Sequence, residues 1–101
     1  MIRTYARREG ERFCLYVTGH AGEGEQGARV CAAVSVLVGM LVGYARTRPD
    51  CCHVRAMMVG GNCSLSCTGG IGEVFELIIA TLSRLAAENP SHMEKVEYMC
   101  S

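Results

Sequence analysis

Apolar and polar residues alternate at both ends of this chain and gather at helical spacing in between. Ile2, Thr4 and Ala6 fall on one side and Arg3 and Arg7 on the other, the period-two signature of a half-buried strand. Glu9-Gly10-Glu11 supplies a turn. Phe13 to Thr18 then repeats the pattern with Phe13, Leu15 and Val17 on one face, which predicts a hairpin ending at Gly19 and His20. Residues 21–27 are too rich in Gly and Glu for regular structure and predict a flexible surface loop.

A helix is expected from Ala28 to Ala45, apolar nearly all round and therefore covered on several sides. Ala32, Ser35, Gly39 and Gly43 give it one face of small residues, which would let another backbone approach. Thr47-Arg48-Pro49-Asp50 ends it, because residues before a proline avoid the helical region. His53 to Val59 and Cys63 to Cys67 predict a second hairpin across Gly60-Gly61-Asn62. Val74, Leu77, Ile78, Thr81, Leu82 and Leu85 recur at the three-and-four spacing of an amphipathic helix over Gly70–Glu88, which Asn89-Pro90 stops. Glu94 to Cys100 alternates again and predicts a last strand.

The order ββαββαβ, in a chain of 101 residues, implies a single α+β domain over 1–101. The expected architecture is a two-layer sandwich, a mostly antiparallel sheet covered by two helices. The order of strands within the sheet is not set by these patterns.

Ten basic and ten acidic residues balance, so nothing suggests an electrostatic grip on nucleic acid or an anionic membrane. The one basic cluster, Arg3 with Arg7 and Arg8, is interleaved with Glu9 and Glu11. No apolar stretch follows Arg3 before the charged run at 7–12, so no export signal is expected. The most apolar segment, Val30 to Tyr44, is 15 residues long, short of the roughly 20 that cross a bilayer. It is expected to be a core helix. Seven cysteines without an export signal point to free thiols in a reducing cytoplasm.

Candidate chemistry concentrates in Val17–Ser35, VTGHAGEGEQGARVCAAVS. His20 stands at a strand end, and Cys31 is expected in the first turn of the following helix, where the helix dipole favours the thiolate. An imidazole nearby can take the thiol proton and later protonate a leaving group. Ser35 lies one turn beyond Cys31 on the same helix face. Backbone amides around Val30 to Ala33, if they open the helix, would lack internal partners and serve as an oxyanion hole. Such a site suits acyl transfer and hence peptide hydrolysis. The plainer alternative makes Cys31 a small buried core residue.

The run GHA, the Gly/acid loop and VCAAVS resemble the ribosomal-processing cysteine protease family known as Prp. The pattern continues along the chain to ENP and a KVE strand. The resemblance implies a small, usually dimeric cytosolic endopeptidase that removes a short N-terminal extension from a large-subunit ribosomal protein. It implies no cofactor. By motif position His20 is the general base and Cys31 the nucleophile, with Gly19 and Ser35 at further site positions. Two departures stand out. Ala28 occupies the place, three residues before the cysteine, where the family commonly carries aspartate, and the interval from histidine to cysteine is one residue shorter. Glu23, Glu25 or Gln26 are the candidate replacements for that carboxylate. The rival is a non-catalytic, dimeric ribosome-associated module.

Cys51, Cys52, His53, Cys63 and Cys67 raise the question of zinc or redox chemistry. On one strand Cys63 and Cys67 share a face but stand about 13 Å apart. Zinc holds its thiolates at about 2.3 Å, so no metal site is expected. Gly69-Gly70-Ile71-Gly72 lacks the Lys-Ser/Thr of a phosphate loop. The four tyrosines have no basic companion patch for base stacking.

Overall fold

In the computed structural model, which describes residues 1–101, seven elements follow one another. They are β1 (Arg3–Glu9), β2 (Arg12–Thr18), α1 (Glu25–Thr47), β3 (Cys52–Val59), β4 (Asn62–Thr68), α2 (Gly72–Glu88) and β5 (Glu97–Cys100). This is the expected ββαββαβ order. The strands form one sheet in the order β3-β4-β2-β1-β5, antiparallel except where β5 runs parallel to β1. The sheet is mixed and mostly antiparallel, and the fold is α+β.

Register explains how alternation becomes a core. Val17 lies opposite Thr4 and Cys63, Leu15 opposite Ala6 and Leu65, and Phe13 opposite Arg8 and Cys67. All three of these β2 residues are buried. On the other face Tyr5, Tyr16 and Met57 remain open to solvent. Phe75 of α2 meets Phe13 with ring centroids 5.0 Å apart, and full burial of side chains of this size contributes roughly 2–3 kcal/mol each. The far end of this core closes on a polar seam: the Glu76 carboxylate accepts from Tyr98 Oη at 2.7 Å and from Arg8 Nη1 at 2.8 Å. Burial, reinforced by Glu76, pushes the Tyr98 phenol up.

Three element starts differ from the expectation by two residues or more. Helix α1 starts at Glu25, inside the segment expected to be loop. Gly24, at φ +95°, sits at its cap, and the Ala28 amide already bonds to the Gly24 carbonyl at 3.1 Å. Glu25 favours the positive first turn and pairs with Arg29 at 2.7 Å. The acidic, glycine-rich run is thus half loop and half helix start. Helix α2 starts at Gly72, two residues late, because Gly69 and Gly70 take left-handed φ values of +81° and +71°. Strand β5 covers only Glu97–Cys100, since Met93 makes an isolated bridge to Ile2 and the residues between are irregular.

Helix α1 also differs in how it is covered. By length and composition it matches a membrane span, yet Val30, Val34, Val38, Leu41, Val42 and Ala45 form one stripe in the same core as the sheet. The expected burial on several sides does not occur: Val36 and Met40 are 61% and 59% exposed. No other backbone packs onto the two glycines of the small-residue face. A Cβ at Gly43 would meet nothing within 4 Å, and one at Gly39 only the tip of Met58, at 3.9 Å.

Candidate active site

Strand β2 carries the chain to Gly19, whose left-handed φ of +92° turns it across the sheet end. Any side chain at Gly19 would collide with the Met1 carbonyl oxygen. The Gly19 amide donates to Gly61 O at 2.9 Å, tying this turn to the β3–β4 hairpin. The His20 ring then lies on Gly61, where a Cβ would stand 2.8 Å from Nε2. Glycine at 61, itself at φ +79°, makes the space the imidazole occupies.

Cys31 approaches from the other side, half-buried on α1. A cleft of about 220 Å³ brings Gly19, His20, Cys31 and Ser35 together. Ile2, Val17 and Val34 add apolar lining, and Gly60, Gly61 and Asn62 come from the hairpin. All four expected site residues therefore share one place. No hydrogen bond joins His20 to Cys31. The Cys31 sulfur instead accepts from the Ala21 amide at 3.3 Å. A wider groove of about 640 Å³ beside Arg8, Arg48 and Glu76 holds neither a thiol nor an imidazole.

Cys31 does not open the helix, contrary to the expectation from sequence. Cys31 is the seventh residue of α1, beyond the first turn to which the dipole effect is confined. The amides from Val30 to Ala33 lie inside the helix, where each bonds to the carbonyl four residues back. They form no oxyanion hole. The Ala21 amide is the donor that reaches the sulfur, and Asn62 lines the same cleft.

None of the expected stand-ins for the missing aspartate bonds to His20. Glu25 is taken by Arg29, and Gln26 donates to Asn89 Oδ1 at 2.7 Å. The Ala28 amide is satisfied by Gly24, and α1 has no side-chain cap at all. The loop is braced instead by a residue that no sequence pattern singles out. His92 Nδ1 lies 2.7 Å from the Ala21 carbonyl oxygen.

The remaining thiols are free. Cys63 also lines the cleft, but burial pushes its thiol up, which keeps it protonated and a poor nucleophile. Cys67 is raised to about 12, first by burial and then by a hydrogen bond with Cys51. No group of three or more His, Cys, Asp or Glu side chains gathers where it could hold a metal ion.

No family model matches the chain, and no curated protein matches it in sequence. Solved structures share its fold. SMU.848 from Streptococcus mutans is 22% identical with a TM-score of 0.76, over 100% of this chain and 99% of that one. The essential ribosomal processing protease Prp from S. aureus, in complex with a covalently linked product peptide, is 18% identical with a TM-score of 0.74, over 97% and 99%. The same protease with a substrate peptide gives 14% identity and a TM-score of 0.64, over 100% of both chains. At these identities the likeness is one of fold.

Proposed function

We propose that this chain is a cysteine endopeptidase that removes a short N-terminal extension from a large-subunit ribosomal protein precursor. Cys31 is the nucleophile and His20 its proton partner. The observation that carries the proposal is the meeting of these two residues in one cleft from separate elements. Support comes from the fold, which is that of a ribosomal processing protease solved with a peptide covalently linked to it and with a substrate peptide.

The chemistry follows from the groups present. His20 takes the Cys31 proton as the sulfur attacks the scissile carbonyl, then gives that proton to the leaving amine as the C–N bond breaks. A water, deprotonated by the same imidazole, cleaves the resulting thioester and restores the thiol. Negative charge on the sulfur and on the neighbouring oxyanion falls beside the Ala21 amide. Catalytic hydrogen bonds often tighten only once substrate is bound, so the imidazole resting on Gly61 is free to turn to the sulfur as the peptide enters. The reaction asks for no metal or cofactor. The enzyme works in the cytoplasm, where its seven thiols stay reduced, and as a homodimer.

The test is incubation of the protein with the extended ribosomal protein from the same genome, followed by mass spectrometry of the new N-terminus. The native chain should release a short peptide, and Cys31→Ala should leave the precursor whole while keeping its fold, because alanine suits a helix. Cleavage by Cys31→Ala at the native rate would sink the proposal. A precursor that binds but stays intact with the native chain would favour the non-catalytic module.

A further inference from the structure

We propose that His92 is a positioning residue for Cys31, acting through the backbone of Ala21. The inference rests on the peptidase reading for its consequence in turnover, but its geometry stands by itself.

Ala21 is buried and lies between His20 and the glycine bend. Its two backbone polar groups are held from two different elements. The N–H points at Cys31 Sγ, 3.3 Å away on α1, and the carbonyl oxygen accepts from His92, 2.7 Å away in the turn after α2. A carbonyl can only accept, so His92 carries its proton on Nδ1.

His92 is itself braced. Its amide donates to Asn89 O at 3.0 Å, and its carbonyl accepts from the Ile2 amide at 3.0 Å. The Asn89 side chain donates to Leu85 O at 3.0 Å and accepts from Gln26 at 2.7 Å. The turn behind α2 is thereby fastened to the first turn of α1. Through His92 it is also fastened to the carbonyl of Ala21, the residue whose amide reaches the thiol.

Removing the imidazole donor would leave the buried Ala21 carbonyl without a partner, and buried carbonyls rarely stay so. The 21–22 peptide that carries this carbonyl would turn to find another donor, and the Ala21 Cα it shares with the 20–21 peptide would move with it, drawing the Ala21 amide off the sulfur. The Cys31 side chain would lose the contact that fixes its rotamer and offsets charge on it. His92 lies outside the cleft that holds His20 and Cys31.

His92→Phe keeps a flat ring and removes the donor. His92→Asn places an amide N–H where Nδ1 stands. Iodoacetamide labelling of Cys31 in the full chain, read by mass spectrometry at fixed pH, should slow about 10-fold in His92→Phe. It should recover to within about 3-fold of native in His92→Asn. Turnover of the extended ribosomal protein should fall in kcat with KM nearly unchanged.

Native-rate labelling in His92→Phe, or an Asn variant no better than Phe, would overturn the proposal. If His92→Phe does not fold, the nitrogen NMR spectrum of the native protein decides. The Nδ1–H tautomer at His92 supports the inference, and the Nε2–H tautomer defeats it. Slowed and rescued labelling in a protein that cleaves nothing would keep the positioning role and discard the peptidase.

Discussion

The His20 imidazole rests on the bare Cα of Gly61, at a distance that leaves no room for one more carbon: a Cβ there would stand 2.8 Å from Nε2 and 3.1 Å from Cε1. Gly61→Ala should therefore push the ring out of its place while adding strain at φ +79° of about 1 kcal/mol. Cleavage should drop at least about 10-fold with only a small fall in the urea midpoint. Gly60→Ala is the control. Its Cβ would meet nothing within 4 Å, and its φ is not left-handed. Equal activity in the two alanine variants would show that the ring does not depend on this contact.

Two thiols line the cleft, and the geometry assigns them opposite fates. Cys31 accepts an amide hydrogen bond on α1, while burial holds the Cys63 thiol protonated on β4. Cys63→Ala should keep most of the activity and lose about 1 kcal/mol of stability from the small void. Cys31→Ala should lose all cleavage and almost no stability. Measured side by side, turnover and chemical denaturation separate nucleophile from packing. A Cys63→Ala protein as inactive as Cys31→Ala would move the nucleophile to β4.

The parts of this fold that are legible in the sequence are those where one face is buried and the other wet. Phe13, Leu15 and Val17 announce β2 because every second residue meets the helices. Ile78 and Leu82 mark the buried side of α2, though Leu77 and Thr81, read on the same face, are exposed, and Phe75 and Ala86, outside that reading, are buried. The pairing of β5 with β1 leaves no such trace, since a strand's alternation does not name its neighbour. Gly24 and Glu25 show how composition misleads. The same two residue types serve a loop and a helix start equally well, and only the backbone φ tells them apart. His20 and Cys31 are visible as chemistry, and the resemblance of their segments joins them. His92 is invisible because its partner, Ala21, lies 71 residues away and is met only through the docking of the Asn89 turn.

Gly27 gives a second steric test on the loop side of the cleft. It lies in the first turn of α1, where alanine would gain about 1 kcal/mol of helix propensity. Its Cβ, however, would stand 2.5 Å from the Gly22 carbonyl oxygen and 3.6 Å from that of Ala21. Both are backbone atoms. Overpacking of this kind costs about 1–3 kcal/mol, so the clash wins. Gly27→Ala should unfold at lower urea than native, and moving residues 21–22 should slow Cys31 labelling as His92→Phe does. A variant more stable than native, with native labelling, would show that the loop yields freely.

The raised thiol of Cys67 makes a prediction about alkaline stability. Its ordinary value of 9.0 moves to about 12 in the folded chain, because burial and the Cys51 hydrogen bond both favour the protonated form. Above pH 9 the unfolded chain has released this proton and the native one has not, so the native state binds more protons and stability falls as pH rises. The loss begins near 9 and continues towards 12. Between pH 8 and 10 it amounts to about 1 kcal/mol for this one group. Other thiols and tyrosines titrate in the same window, which makes the difference between two proteins the proper measurement. Cys67→Ala should be less stable than native at pH 8, having lost buried volume, yet its urea-derived stability should decline less by pH 10. Parallel declines in the two proteins would mean that Cys67 ionises as readily folded as unfolded, and that the packing of Cys51 against it is looser than the hydrogen bond implies.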